Sequence, residues 1–403
     1  MSKVLFIGNI WPEPNSTAAG WRINGLISLF QSLKYAVVYA STSPFNKHSN
    51  ALSAVGVAVN TVLVNDNSFD EFITALSPDI VVFDRFIMEE QFGWRVRDNC
   101  GNALTILDTS DLHFLRIKRG EEVMGKKKTK HQEIKLRELG SIYRCDLSLI
   151  ISEVEYDILL EMGISKDLLF YLPFMLNKPD SKEWNSFEDR INFVTIGSFL
   201  HEPNIDQITF LKTEIWGLIR RELPQAELHI YGAYSKDKHH EMNDSDNGFF
   251  IKGFADDSLD VISNAKVLLA PLRFGAGIKG KLIEAMLTGT PSVTTSIGKE
   301  GIVYNDIKWP GAVFDNPELL AKAAIMLYSK NEIWDDAVNK ISVILEDRFS
   351  KEIHYLRFKK LLENRIKYIY KFRAENLIGS ILNYNTNRST KFMSMWIEVK
   401  NKL

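Results

Sequence analysis

Short apolar runs recur along the first half of the chain at Val4–Ile7, Ala36–Tyr39, Thr61–Val64, Ile80–Phe83, Ala103–Leu107 and Leu147–Ile150, separated by amphipathic segments. This alternation predicts βαβ units on a parallel sheet. A second series follows at Ile191–Ile196, Glu227–Tyr231, Gly248–Ile251, Val267–Leu269, Ser292–Thr294 and Ala312–Phe314. Between the two, Leu176 to Arg190 lacks apolar periodicity and carries Pro179 and clustered charges, as a linker would. The pattern divides the chain into a first α/β domain (1–175), a linker (176–190), a second α/β domain (191–349) and a basic helical tail (350–403). Two Rossmann-like domains in succession enclose a central cleft, and ligands of such sheets collect beyond the carboxyl ends of the strands.

Composition narrows the picture. A chain of 403 residues with 45% hydrophobic content suits two cores, and a net charge of −2 argues against a nucleic-acid partner. Cys100 and Cys145 have no CxxC spacing, so a disulfide framework or cysteine-based metal site is not expected. The opening KVLFIGNI is too short for a signal segment and reads as a buried first strand, and no run approaches the roughly 18 apolar residues of a bilayer span. The expectation is a cytoplasmic protein, soluble or peripheral at the inner face of a membrane. Charge is uneven: Lys351 to Leu403 holds twelve Lys/Arg against four Glu, so the tail carries +8 and the remainder −10. Interleaved aromatics there leave three readings open: a brace across the first domain, a membrane surface, or contact with a partner protein.

The densest candidate chemistry lies in residues 267–302. The run Val267–Leu269 leads through Gly275-Ala276-Gly277 into the helical pattern Ile278, Leu282, Ile283, Met286 and Leu287, closed by Gly289 and Pro291. A glycine turn at a helix start leaves backbone N–H groups for an anion. Arg273 before the turn and Lys279 in the expected first helical turn add two cations, enough for a diphosphate. Glu284, about one and a half turns further on, could accept hydrogen bonds from the vicinal hydroxyls of a ribose.

The pattern PLRFGAGIKGKLIEAM, with the following GxP and GxEGI, resembles the donor-binding region of the retaining, GT-B-fold glycosyltransferases of family 4, the group 1 glycosyltransferases. The resemblance implies a nucleoside-diphosphate sugar as co-substrate, with no separate cofactor and no metal. Glu284 would hold the donor ribose, and Gly275, Gly277 and Ile278 the sugar and phosphates. Many members carry a further glutamate eight residues before Glu284; here that position is Ala276, as in the GxGxK form. In the family the loop after the first strand faces the cleft, which brings in Gly20, and backbone at Gly232, Gly253 and Phe254 would meet the base. Relatives also hold the diphosphate with an arginine and a lysine in the loop after Ile196, where this chain offers His201, so Arg273 and Lys279 are expected to carry that charge.

On the acceptor side, Asp108, Asp111, His113 and Arg116 follow one strand and form a polar cluster suited to substrate hydroxyls. The alternative is that the two aspartates cap the next helix. By the resemblance, His113 is the histidine that points at the transferred sugar. Asp84 and Arg85 either line the acceptor side or form an internal ion pair. The basic run 116–130 is a solvated loop or a contact for an anionic acceptor. Asp244-Ser-Asp246 has metal-binding spacing but sits in a polar turn with no strand before it, and His239-His240 lacks a third ligand, so neither supports a metal. Three functions follow in order: a glycosyltransferase acting on a glycan, lipid-linked or protein acceptor; a non-catalytic GT-B partner; a nucleotide-sugar epimerase.

Overall fold

The computed structural model describes residues 2–125, 130–179, 184–304 and 307–401. Part of the expected linker (180–183) and of the basic run (126–129) lies outside them.

Seven parallel strands form the first sheet: β1 (Lys3–Gly8), β2 (Ala36–Ser41), β3 (Ala58–Thr61), β4 (Ile80–Asp84), β5 (Leu104–Asp108), β6 (Leu147–Ile150) and β7 (Leu169–Tyr171), in the order β3-β2-β1-β4-β5-β6-β7. Six form the second: β8 (Ile191–Ile196), β9 (Leu228–Tyr231), β10 (Phe249–Gly253), β11 (Ala265–Ala270), β12 (Ser292–Thr294) and β13 (Gly311–Val313), in the order β10-β9-β8-β11-β12-β13. The central strands are buried throughout and mostly apolar because helices cover both faces, leaving no solvated side to alternate toward. This is the doubly wound arrangement repeated, and the protein has the GT-B fold.

Two strands depart from expectation. The run Thr61–Val64 is not itself the third strand: β3 ends at Thr61, in register with Ser41, and Leu63 beyond it is 60% exposed. As an edge strand β3 is only half covered, so its apolar content is low and periodicity points to the wrong residues. β7 has three residues, too short to register as a run.

The domains are joined by two chain crossings that lie side by side. Leu176 N donates to Phe349 O at 2.7 Å and Lys351 N to Leu176 O at 2.9 Å, so the outgoing linker and the returning tail form one paired bridge. The tail then packs on the first domain. Phe358 of the helix Lys351–Lys367 is fully buried against Phe30 and Phe170, with ring centroids 5.6 and 5.9 Å away. The helix Leu377–Asn401 crosses to the other side of that domain and lies along the helices Phe86–Asn99 and Lys130–Arg144.

Candidate functional site

Each sheet reverses its order of strand addition, between β1 and β4 and between β8 and β11. The loops leaving these strands and β5 face one another and enclose a cavity of about 410 Å³. That size and position are those of a small-molecule site at a switch point.

The glycine bend forms one wall. Gly277 has φ +64°, and a Cβ there would stand 2.8 Å from Asp111 Cβ, so backbone conformation and the facing domain both require glycine. The helix begins at Gly280, later than the apolar pattern suggests. Lys279 is therefore its N-cap rather than a first-turn residue, and no side chain caps the first N–H groups. Lys279 Nζ turns back to Gly277 O at 2.8 Å and lies 3.8 Å from Glu300 Oε2. Burial lowers its pKa, opposed by the Glu300 and Glu155 carboxylates.

Lys281, which the motif contains but the sequence reading passed over, is the more telling cation. Its Nζ donates to Asn204 Oδ1 at 2.9 Å and Gln207 Oε1 at 3.0 Å, both neutral, while burial pushes its pKa down to about 7 against the pull of Glu284. Asn204 and Gln207 belong to the helix Glu202–Phe210, after the very loop in which relatives would carry their phosphate-binding cations. Glu284 lines the cavity and accepts a 2.6 Å hydrogen bond from Ser258 Oγ, and burial raises its pKa. Gly275 and Ile278 line the same wall.

Arg273 does not share that site. Its guanidinium is spent on Asp206, with Nε 2.9 Å from Oδ2, and stacks over the Phe210 ring outside the cavity lining. Arg273 directly precedes the turn, and the aspartate that holds it lies 67 positions earlier, so no local spacing could have revealed the pairing.

Opposite the bend stand the first domain's polar groups. His113 begins the helix His113–Val123, and Glu138 accepts from the His113 and Phe114 backbone N–H groups at 2.9 and 2.7 Å, taking the capping role that the alternative reading gave to Asp108 and Asp111. The same carboxylate lies 3.0 Å from His113 Nδ1, which leaves Nε2 toward the cavity, 3.8 Å from Asp111 Oδ1. Asp111 and Arg116 pair directly, and both line the cavity; the Arg116 guanidinium above all holds the Asp111 carboxyl well below its usual range despite burial. His201 lines the same cavity; although it keeps solvent contact, desolvation between the two walls and the neighbouring Arg116 lower its pKa. Asp84 and Arg85 line the cavity and also bond each other at 3.0 and 2.9 Å. Asp108 is not on the acceptor side. It is fully buried below the cavity, bonded at 2.7 Å to Arg22, which in turn donates to Leu172 O.

The domains touch through groups that sequence reading could not pair. Glu155 Oε1 accepts from Leu112 N of the first domain at 2.9 Å and from Gly277 N of the second at 2.8 Å. It thus occupies one of the N–H groups expected for phosphate, and burial together with Asp111 raises its pKa. Arg119 donates to Gly275 O at 2.8 Å and forms a two-pronged pair with Glu300 at 2.6 and 2.7 Å. Tyr234 OH donates across the cleft to Glu13 Oε2 at 2.6 Å.

The remaining glycines divide. Gly20 lines the cavity, and a Cβ there would meet the Glu13 backbone at 2.5 Å. Gly232 and Gly253 serve the sheet instead: a Cβ on Gly232 would reach Gly197 O at 2.1 Å, and its N–H donates to Gly253 O at 2.7 Å. Phe254 is half exposed and outside the cavity lining. Asp244 receives Asn247 Nδ2 at 2.8 Å within a turn, and His239 stacks on Phe199. Among the described residues, no three His, Cys, Asp or Glu side chains are grouped to hold a metal.

The fold and cleft define a protein of the GT-B class. More particularly, residues 190–330, most of the second domain, match the family described as glycosyl transferases group 1. An uncharacterized 44.6 kDa protein in the cps region of Klebsiella pneumoniae is 27% identical over 178 residues, 42% of this chain and 45% of that one. The structure of Anabaena HepE in complex with UDP and glucose is similar, with a TM-score of 0.68 and 12% identity over 90% of this chain and 100% of that one. A TarM variant of S. aureus, solved with UDP, has a TM-score of 0.58 and 14% identity over 72% of this chain. The chain spans only 57% of TarM's length and about half that of the Klebsiella protein. At these identities the two solved structures speak to fold.

Proposed function

We propose that this protein is a glycosyltransferase that moves a sugar from a nucleoside-diphosphate donor to a hydroxyl of a glycan, lipid-linked or protein acceptor, with retention and without a metal. The observation that carries the reading is the convergence of Lys281, Lys279 and Glu284 on one wall of the interdomain cavity, around an uncapped helix start. The cations and the helix dipole offset charge that grows on the departing diphosphate, a contribution often worth several kcal/mol in a water-poor site. Glu284 takes the ribose hydroxyls. His113, held at Nδ1 by Glu138, presents Nε2 to the sugar from the opposite wall.

In the transfer the acceptor oxygen bonds to the anomeric carbon as the bond from that carbon to the phosphate oxygen breaks. The acceptor proton passes to the leaving phosphate oxygen on the same face, which preserves configuration and asks for no protein nucleophile. The test is calorimetry with UDP, GDP and their sugars, followed by a transfer assay with and without EDTA. Nucleotide binding, with transfer or slow donor hydrolysis that EDTA leaves unchanged, is expected. Absence of nucleotide binding would instead support a non-catalytic GT-B partner, and isomerisation of the bound sugar an epimerase.

A further inference from the structure

The helix Leu377–Asn401 is built inside out. Leu377, Ile381, Phe392, Met395, Trp396 and Val399 recur at steps of three, four and multiples of these, within an arc of about 100° on a helical wheel, and all are 47–68% exposed. The face turned to the first domain is small and polar. Gly379 packs so closely that a Cβ would reach Tyr143 O at 2.2 Å, Asn383 donates to Arg144 O, Ser394 accepts from Arg95 and Lys391 pairs with Asp98 at 2.8 Å. A helix that merely completed a core would turn the other way, and exposed large apolar side chains grouped at both ends of one helix face mark an interaction site.

We infer that this face lies on a lipid bilayer with an anionic surface. Charge is the deciding observation. The tail carries +8 while the rest of the chain carries −10, and Lys367 and Lys371, at the end of the segment that leads into this helix, are exposed. The core of a protein interface is depleted in lysine, whereas an aromatic and aliphatic stripe flanked by lysines is the composition of a helix lying in the headgroup region. Lys400 sits 5.2 Å over the Trp396 ring, where its stem covers apolar surface and its ammonium reaches out to phosphate. The polar contacts with the first domain run from Gly379 to Ser394 and Lys391, so the helix is held flat against the protein, and no described helix is long and apolar enough to cross a membrane. The inference stands apart from the proposed activity.

The test is flotation of the full-length protein with vesicles of phosphatidylcholine alone and with about one-third phosphatidylglycerol added, with light scattering in parallel. Binding to the anionic vesicles is expected at least tenfold tighter than to the neutral ones, weakened by salt, from a protein that is monomeric in solution. Phe392→Asp with Trp396→Asp, exposed positions whose replacement leaves the melting temperature unchanged, should lower anionic-vesicle binding at least tenfold. Lys367→Glu with Lys371→Glu should remove the preference for anionic lipid. Failure to bind any vesicle overturns the inference, as does a dimer that the Phe392 and Trp396 substitutions dissociate, which would assign the face to a second copy of the chain.

Discussion

Lys281 allows the sharpest test of the donor site because its charge state is linked to what fills the cavity. Burial among neutral amides leaves its pKa at about 7 in the free protein. A diphosphate beside it would restore the ammonium to its usual range. At pH 6 about nine-tenths of the free protein then already carries the binding-competent cation, and at pH 8 about one-tenth. Affinity for an intact nucleotide sugar, whose diphosphate does not titrate in this range, should therefore fall about tenfold from pH 6 to pH 8, or about 1.4 kcal/mol. Calorimetry in buffers of different ionisation heat should show about one proton taken up per ligand at pH 8 and about one-tenth at pH 6, with any further uptake due to Lys279 or Glu155. Lys281→Met should bind more weakly and lose this one-proton share. Equal proton uptake by native protein and Lys281→Met would refute the assignment. The same shift has a stability signature of defined sign: between about 7 and the ordinary value of 10.5 the unfolded chain holds a proton that the folded one lacks, so stability rises with pH across that window.

Four further outcomes are expected. Glu284→Ala removes the carboxylate proposed to take the ribose hydroxyls and should weaken nucleotide binding by about 1.5–3 kcal/mol in calorimetry, with Ser258 losing its partner. Arg273→Ala should change nucleotide affinity less than twofold, since that side chain serves Asp206 outside the cavity; a loss like that of Glu284→Ala would return it to the site. Gly277→Ala forces a Cβ against Asp111 and an unfavourable φ, and should lower the melting temperature and expose the cleft to proteolysis. Phe358→Ala should cost about 3–5 kcal/mol in denaturant unfolding, because this tail residue fills the first domain's core.

What the sequence made legible, and what it hid, follows from the range of the interactions. Strands buried on both faces announce themselves, so the runs corresponding to β1, β4, β5, β6, β8 and β11 could be read directly, while the edge strand β3 and the three-residue β7 could not. The Gly275–Glu284 stretch was visible because backbone geometry and charge are coded within ten positions. Its division of labour was not. Lys279 and Lys281 are two residues apart, which on a continuous helix would send them to opposite sides; the helix starts at Gly280, so Lys279 stands on extended backbone and both can reach one cavity. Arg273 carried the same formal charge and failed because a distant aspartate claims it.

Glu155 gave no local signal at all, lying 122 positions from the N–H it accepts. Glu155 ties the bend to Leu112, and Arg119 with Glu300 fastens the same edge. A donor anion entering at Gly277 competes with Glu155 for one N–H, and a carboxyl whose pKa burial has raised gives way more readily by taking a proton than by leaving. Replacing Glu155 with Gln keeps the shape and removes the competing charge. If the bend works in this way, Glu155→Gln should bind a nucleotide sugar more tightly than the native protein, and the gain should grow from pH 6 to pH 9, where the native carboxyl ionises. A gain that is absent, or equal at both pH values, would make Glu155 a fixed strut of the domain interface rather than a stand-in for phosphate.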